Sequence, residues 1–318
     1  SNLKNNNFID YGLFVTFFPQ LIAGPIVYHK EMMQQYASIQ NKSIKFENIS
    51  FGLFIFSIGL FKKVVIADTF AVWATYGFHA IDVITFYQAW VTSFSYTFQI
   101  YFDFSGYTDM AIGAALLFNI KIPNNFNSPY KATNIQDFWR RWHITLSRFL
   151  KNYIYIPLGG NKKGNFKTYN NLLLTFLIGG LWHGAGWTFL FWGFLHGLAL
   201  IIHRIWSLVG FKLNLIISWI ITFNFINLTW VFFRAQEWSV AIKMIKKMFE
   251  FEPVKEINLI QIIMIILSLI IVLFLKNSNQ LKKNLHSIYD GIFIGFLFFF
   301  SLITLFLRGE GVFLYFQF

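Results

Sequence analysis

The chain contains no cysteine. That excludes disulfides, thiolate metal sites, a cysteine nucleophile and acylation on an endogenous thiol. Charge is scarce as well: 13% of the 318 residues are Asp, Glu, Lys or Arg, roughly half of what a soluble domain carries. Of the charges present, few are acidic, 14 against 26 basic, for a net charge of +12. The sequence also lacks a Walker loop, GxGxxG, HExxH and a GxSxG elbow, so the usual nucleotide, dinucleotide, zinc-hydrolase and serine-hydrolase signatures are missing. What fills the space is apolar. The chain is 56% hydrophobic with 42 Phe, and mean hydropathy is +0.53. This is the composition of an integral membrane protein. In that setting the basic excess belongs to cytoplasmic loops, and the aromatic wealth belongs to membrane packing rather than nucleic-acid stacking.

The most informative stretch is 171–206, NLLLTFLIGGLWHGAGWTFLFWGFLHGLALIIHRIW. It is apolar enough for lipid, yet His183 stands near its centre beside Trp182 and several glycines. An ionisable ring is expensive in a bilayer and usually faces a polar interior or a water path. The glycines allow close backbone approach or a bend. His183 is therefore the leading candidate for chemistry. The alternative reading of the residues is a neutral histidine bonded to a helix carbonyl for packing alone.

Taken in order, residues 8–28 are broken by Pro19 and Gly24-Pro25, which suits a kinked or re-entrant element. Residues 49–67 are expected to span, with Lys62-Lys63 snorkelling to an interface, and 71–81 are short and ambiguous. Residues 83–102 are expected to span and to end at the polar run Asp103-Phe104-Ser105-Gly106-Tyr107-Thr108-Asp109. A capped turn is the favoured reading there, and such a turn can also line a cavity. Residues 119–170 hold nine Lys/Arg against Asp137 alone, which makes this loop cytoplasmic by the positive-inside rule. Within it, Thr133 to Pro157 reads as one amphipathic helix opened by a Thr133/Gln136 capping box. Ile135, Phe138, Trp139, Trp142, Leu146, Phe149 and Leu150 share one side. Arg140, Arg141, Arg148 and Lys151 share the other, with His143 at the boundary. The arginines fit either an anionic-lipid anchor or the phosphates of a cytosolic cofactor. Residues 213–233, 259–275 and 291–307 are further spans. If 172–206 is a hairpin bent at Gly184–Gly186, the basic loops 119–170, 203–212 and 276–286 share one side. His196 and His203, seven residues apart, could hold a metal or haem, but with no carboxylate nearby that reading is weak.

Five pieces carry a family resemblance. They are FFPQLIAGPIVY at 17–28, YFDFSGYTDMAIG at 101–113, PNNFNSPY at 123–130, DFWRRWHITLSRFLKNYIYIPLGGNKKG at 137–164 and GGLWHGAGWTFLFWGFLHG at 179–197, with FLYFQF at 313–318 also similar to the end of such proteins. Together they resemble the membrane-bound O-acyltransferase family, closest to the bacterial branch that O-acetylates alginate, peptidoglycan and related envelope glycans. D-alanylation of teichoic acid lies further off in the same family. The resemblance implies an all-α, polytopic bundle of kinked and re-entrant helices around a central funnel, forming a single membrane domain over 1–318. Family members usually have more transmembrane helices before FFPQLIAGP, so the chain is expected to begin part-way through the family fold.

The resemblance further implies His183 and His143 as the two functional histidines. It implies acetyl-CoA as a donor substrate entering from the cytoplasm, with no bound cofactor and no metal. It implies a periplasmic partner of SGNH esterase/transferase type, an envelope polysaccharide acceptor, no nucleic acid, and a bacterial inner-membrane location. Arg140, Arg141 and Arg148 are candidates for the CoA phosphates, with Trp139 and Trp182 beside them. Asp103, Ser105 and Asp109 are candidates to line the polar path. Two competing readings survive from the residues: a transporter or scaffold that passes an acyl group or glycan precursor, with the histidine as relay, and an anchor for a periplasmic enzyme.

Overall fold

A computed structural model describes residues 8–253, 257–281 and 287–308. All regular elements among the described residues are helices, and five of them are long and apolar enough to cross a membrane: Phe46–His79, Trp187–Val209, Leu215–Arg234, Leu259–Gln280 and Ile288–Arg308. This bears out an all-α polytopic membrane protein. FLYFQF at 313–318, and the basic residues at 255, 282 and 283, lie outside the described residues.

The chain divides into two compact units. The first takes the described parts of 1–66, 102–125 and 276–315. It contains helices α1 (Phe8–Thr16), α2 (His29–Tyr36) and α3 (Phe46–Phe61), then, after α4 (Asp68–His79) of the other unit, the second half of α5 (Phe86–Leu117). Residues 8–28 are kinked as expected, since α1 stops before Pro19 and a short 3-10 turn, Phe18–Gln20, follows. Phe17, Met32, Ala111, Ala115, Ile120 and Ile122 form an apolar core here.

Glycine spacing decides how α3 meets α5. Gly52 and Gly59 are two turns apart on one helix face, as are Gly106 and Gly113 on the other. A Cβ on Gly52 would lie 2.7 Å from the Gly113 carbonyl oxygen, and one on Gly106 would lie 2.7 Å from that of Gly59. The antiparallel backbones therefore touch, and only hydrogen fits between them. This close approach corrects two expectations. Residues 86–117 are one uninterrupted helix, so Asp103, Ser105 and Asp109 do not lie in a capped turn. Lys62 and Lys63 do not snorkel: they sit in a π-helical segment, Lys62–Ala67, and point at α5. Lys62 Nζ lies 2.6 Å from Asp109 Oδ2, and Lys63 Nζ lies 3.4 Å from Asp103 Oδ1. A helix can carry carboxylates through its middle when cations from its neighbour meet them.

The second unit takes 67–101 and 126–275. Its frame is a hairpin of α8 (Gly164–His183) and α9 (Trp187–Val209), with α10 (Leu215–Arg234) against α9 and α11 (Trp238–Phe249) beside them. The stretch 171–206 is thus a hairpin bent at Gly184–Gly186, as the glycines suggest. Glycines again set the contact. A Cβ on Gly180 would clash with the Phe189 carbonyl oxygen, one on Gly193 with that of Phe176, and one on Gly197 would lie 3.1 Å from Leu173 Cα. The pairing is antiparallel, so the basic segments around 160 and 204 fall at the same end of the hairpin. Residues 133–157 are not one helix. Asn134, not Thr133, caps α6 (Ile135–Arg141) by accepting from the Asp137 amide at 2.8 Å. The chain then breaks at Trp142-His143 before α7 (Ile144–Leu150), and a π-helical turn, Lys151–Tyr155, follows.

Candidate functional site

The hairpin places His183 as the last residue of α8, at the tip. The centre of the apolar stretch in sequence is its turn in space, so this ring is at a helix end and not in mid-span. It is half-buried among aromatic rings: Trp182 at 4.9 Å between centroids, Trp192 at 5.4 Å and Phe233 at 5.0 Å.

His143 arrives from the break between α6 and α7. Its backbone is left-handed, φ 42° and ψ 54°, a region a bulky residue seldom occupies. Neighbouring contacts hold it there. Trp142 stacks on Phe138 at 5.6 Å and meets Trp230 at 4.9 Å. The Arg141 carbonyl accepts from the Asn127 amide at 2.9 Å, and Ser147 Oγ donates to the Trp139 carbonyl at 3.2 Å. Strain held this firmly is most often found where function needs a side chain aimed. The result is a His143 ring that is 3% exposed and stands 6.3 Å from the Trp182 ring. Trp182 thus touches both histidines. Burial first, and His183 second, hold the His143 imidazole well below its ordinary range, so it is neutral near pH 7.

One layer nearer the basic end lies a residue that sequence reasoning treated only as a weak metal ligand. His196 is fully buried on α9. The Trp139 indole N–H donates to His196 Nδ1 at 3.1 Å, and His196 Nε2 is 3.2 Å from Thr229 Oγ1. Indole is a donor only, so Nδ1 must be the acceptor and His196 is the neutral Nε2–H tautomer. Its proton goes to Thr229, whose hydroxyl donates to the Ile226 carbonyl at 2.8 Å. The chain of bonds ties α6, α9 and α10 together with every role assigned. The available cue was spacing: Trp192 and His196 are one turn apart, and their rings lie 4.7 Å from each other. No group of three His, Cys, Asp or Glu among the described residues could hold a metal, and the metal reading of His196 gives way to this network.

The remaining candidates fall as follows. Trp139 is in the interior, committed to His196. Arg141 is committed to Asp137, with Nε 2.9 Å from both carboxylate oxygens, and to the Asn127 carbonyl at 3.3 Å. Arg140 is exposed and lies within electrostatic range of His203. Arg148 is half-buried on α7. Asp103, Ser105 and Asp109 belong to the first unit, where Lys63 partners Asp103 and Lys62 and Ser278 partner Asp109.

Residues 1–237 match the family described as MBOAT, membrane-bound O-acyltransferase. Among curated proteins, the chain is 63% identical over 247 residues to the peptidoglycan O-acetyltransferase of Helicobacter pylori, covering 76% of this chain and 47% of that protein. It is 45% identical over 249 residues to the probable alginate O-acetylase of Pseudomonas putida, covering 77% of this chain and 50% of that one. A more distant match, 27% over 228 residues, covers 67% of this chain and 58% of the teichoic acid D-alanyltransferase of Bacillus subtilis. The chain spans about half the length of the peptidoglycan and alginate relatives.

Proposed function

The chain belongs to the membrane-bound O-acyltransferase family, and from that premise we propose that it transfers an acetyl group from cytoplasmic acetyl-CoA toward hydroxyls of an envelope polysaccharide, of the peptidoglycan or alginate kind. The observation that carries the reading is the placement of two imidazoles, His183 at the hairpin tip and His143 on a strained left-handed break, in ring contact with one indole, that of Trp182. Two residues 40 apart in sequence are fixed by separate elements onto one spot.

In this mechanism His183, as neutral imidazole, takes the proton from the acceptor hydroxyl as its oxygen attacks the thioester carbonyl. The C–S bond breaks, the new ester C–O bond forms, and the proton passes from the imidazolium to the departing thiolate. Such proton transfer typically contributes ~10²–10⁴ in rate. His143, also neutral, orients or polarises a reactant from its place beside Trp182. The apolar rings around His183 disfavour its charged form and keep a base available. On this reading the basic end of the hairpin faces the cytoplasm and the chain sits in a bacterial inner membrane. A periplasmic partner of SGNH type then receives the acyl group or presents the polymer.

The test is release of free CoA from labelled acetyl-CoA in membranes holding the full-length protein and its partner. His183→Ala and His143→Ala, at equal protein levels, should each abolish release. Release by wild type that neither change affects would move the chemistry to the partner. Intact acetyl-CoA with acetyl groups still appearing outside would make the protein a conduit.

A further inference from the structure

Two indoles touch His196, and the fold uses the N–H of only one. Trp139 donates to His196 Nδ1 at 3.1 Å. Trp192, with its ring 4.7 Å from that of His196, is 2% exposed, and its Nε1 makes no hydrogen bond with any described group. An indole N–H shut away from water without an acceptor destabilises a fold, and native proteins hold few such groups. Packing supplies no reason for an indole here, because a ring lacking the N–H fills the same space without that penalty.

The neighbours of Trp192 narrow down what its N–H can serve. Five rings surround the indole: His196, then Phe233 at 5.1 Å, His183 at 5.4 Å, Trp139 at 5.8 Å and Trp230 at 5.9 Å between centroids. Phenylalanine has no acceptor, and an indole nitrogen only donates. Both nitrogens of His196 are spent, on Trp139 and on Thr229. His183 is the one ring of the five that offers an acceptor nitrogen, so the N–H is kept beside the histidine at the tip with no competitor in its ring shell.

The indole is also fixed in place. Gly193, the next residue, lies so close to α8 that an added Cβ would clash with the Phe176 carbonyl oxygen, which sets the rotation of α9 at this level. Trp230 of α10 lies nearly parallel to the Trp192 ring, at an interplanar angle of 18°. A donor locked by packing before the substrate arrives needs no reorganisation when charge develops next to it.

We propose that Trp192 is a further catalytic residue, whose indole N–H donates to the carbonyl oxygen of the acyl thioester and to the oxyanion formed from it. The assignment rests on the reaction proposed above. A hydrogen bond to His183 itself would occupy the lone pair that the base needs, so the acceptor that fits is a reactant atom beside His183. As the hydroxyl oxygen adds to the carbonyl carbon and His183 takes its proton, the C=O π pair moves onto the carbonyl oxygen. That charge develops against apolar rings, where a fixed donor is worth more than in water. The pair returns as the C–S bond breaks, the thiolate takes the proton from the imidazolium, and the indole keeps its own proton throughout.

The experiment uses full-length protein with its partner in nanodiscs. Trp192→Phe is compared with Trp192→benzothienylalanine, which keeps the bicyclic ring and exchanges the N–H for sulphur. The benzothienyl variant should lose ~10²–10³ in kcat for CoA release, with KM for acetyl-CoA within about twofold. It should melt no lower than wild type, because the group it removes is a buried donor without a partner. Trp139→Phe, which strips His196 Nδ1 of its donor, should instead melt lower. A second readout is independent of turnover. The indole N–H proton resonance of Trp192, identified by its absence from Trp192→Phe, should move downfield when the ketone analogue of acetyl-CoA, with methylene in place of sulphur, is bound. Full turnover in the benzothienyl variant would overturn the assignment and leave the proposed reaction standing. Lost turnover without the resonance shift would also overturn it, since the indole would then act through His183 and not on the substrate. A wild type that cleaves no thioester would remove the reaction and this assignment together.

Discussion

The two units bury polar groups in opposite ways. In the first, four formal charges are packed between α3 and α5 and paired across the helices, Lys62 with Asp109 and Lys63 with Asp103. In the second, the polar groups at the histidine site are neutral imidazoles and indoles held by rings, and the one fully traced network, Trp139–His196–Thr229, carries no charge. Paired charges fix helices but leave nothing free to move a proton. A neutral imidazole has both a lone pair and an N–H with which to take up or pass on a proton. On the function proposed above, the second arrangement is the one suited to chemistry, and the first is a clamp made possible by glycine contacts.

Breaking one charge pair should have the largest effect on stability. Asp103→Ala leaves Lys63 buried without its carboxylate and should cost about 3–5 kcal/mol, seen as loss of folded protein in a detergent melt. Asp103→Leu with Lys63→Met should recover most of that, since apolar replacement of a buried pair is often neutral or better. Chemistry at His183 should be unaffected in the recovered double variant if the clamp is only structural.

On the other side of the comparison, His196→Leu orphans the Trp139 indole N–H and removes a partner of Thr229. An orphaned buried donor costs about 1–3 kcal/mol, and transfer activity should fall further than stability because α6 leads directly into the break that holds His143. Adding Trp139→Phe should restore stability but not activity. If the double variant is fully active, the network is packing alone. Next comes Gly180→Ala, whose methyl meets the Phe189 carbonyl. It should cost about 1–3 kcal/mol by overpacking, whereas Gly12→Ala, with nothing within 4 Å of the added carbon, should cost close to nothing.

The smallest effect is one of pH. The folded state disfavours protonated His143, so above the unfolded value of ~6.5 this residue contributes no pH dependence. Below it the unfolded chain binds a proton that the folded chain refuses, and stability declines as pH falls. Thermal melts from pH 7.5 to 5 should show that decline, shallower in His143→Gln. An unchanged slope would mean that His143 takes up a proton as readily in the folded chain as in the unfolded one.

Some of this was legible in residues alone. Phenylalanine, scarce charge and long apolar runs specify membrane helices. Pro19 stops α1, and Gly184–Gly186 bends the hairpin. His183 and His143 are marked by their motifs. Other features left no local trace. Asp103 and Asp109 look like a break in a span because their lysines are some 40 residues away, and only a neighbour's charges make a helix tolerable there. Trp142-His143 contains no glycine or proline, yet the helix breaks, because Phe138, Trp230, Asn127 and Ser147 stabilise an unfavourable backbone from outside.

Composition and pattern therefore determined the lipid environment, the helical class, the hairpin and two histidines worth testing. These follow from solvation and backbone preference, which act residue by residue. The tertiary structure decided the ion-pair clamp, the tautomer of His196 and the shared indole between His143 and His183. Each of these depends on groups distant in sequence meeting within hydrogen-bond, ring-contact or ion-pair range, and only packing sets those distances.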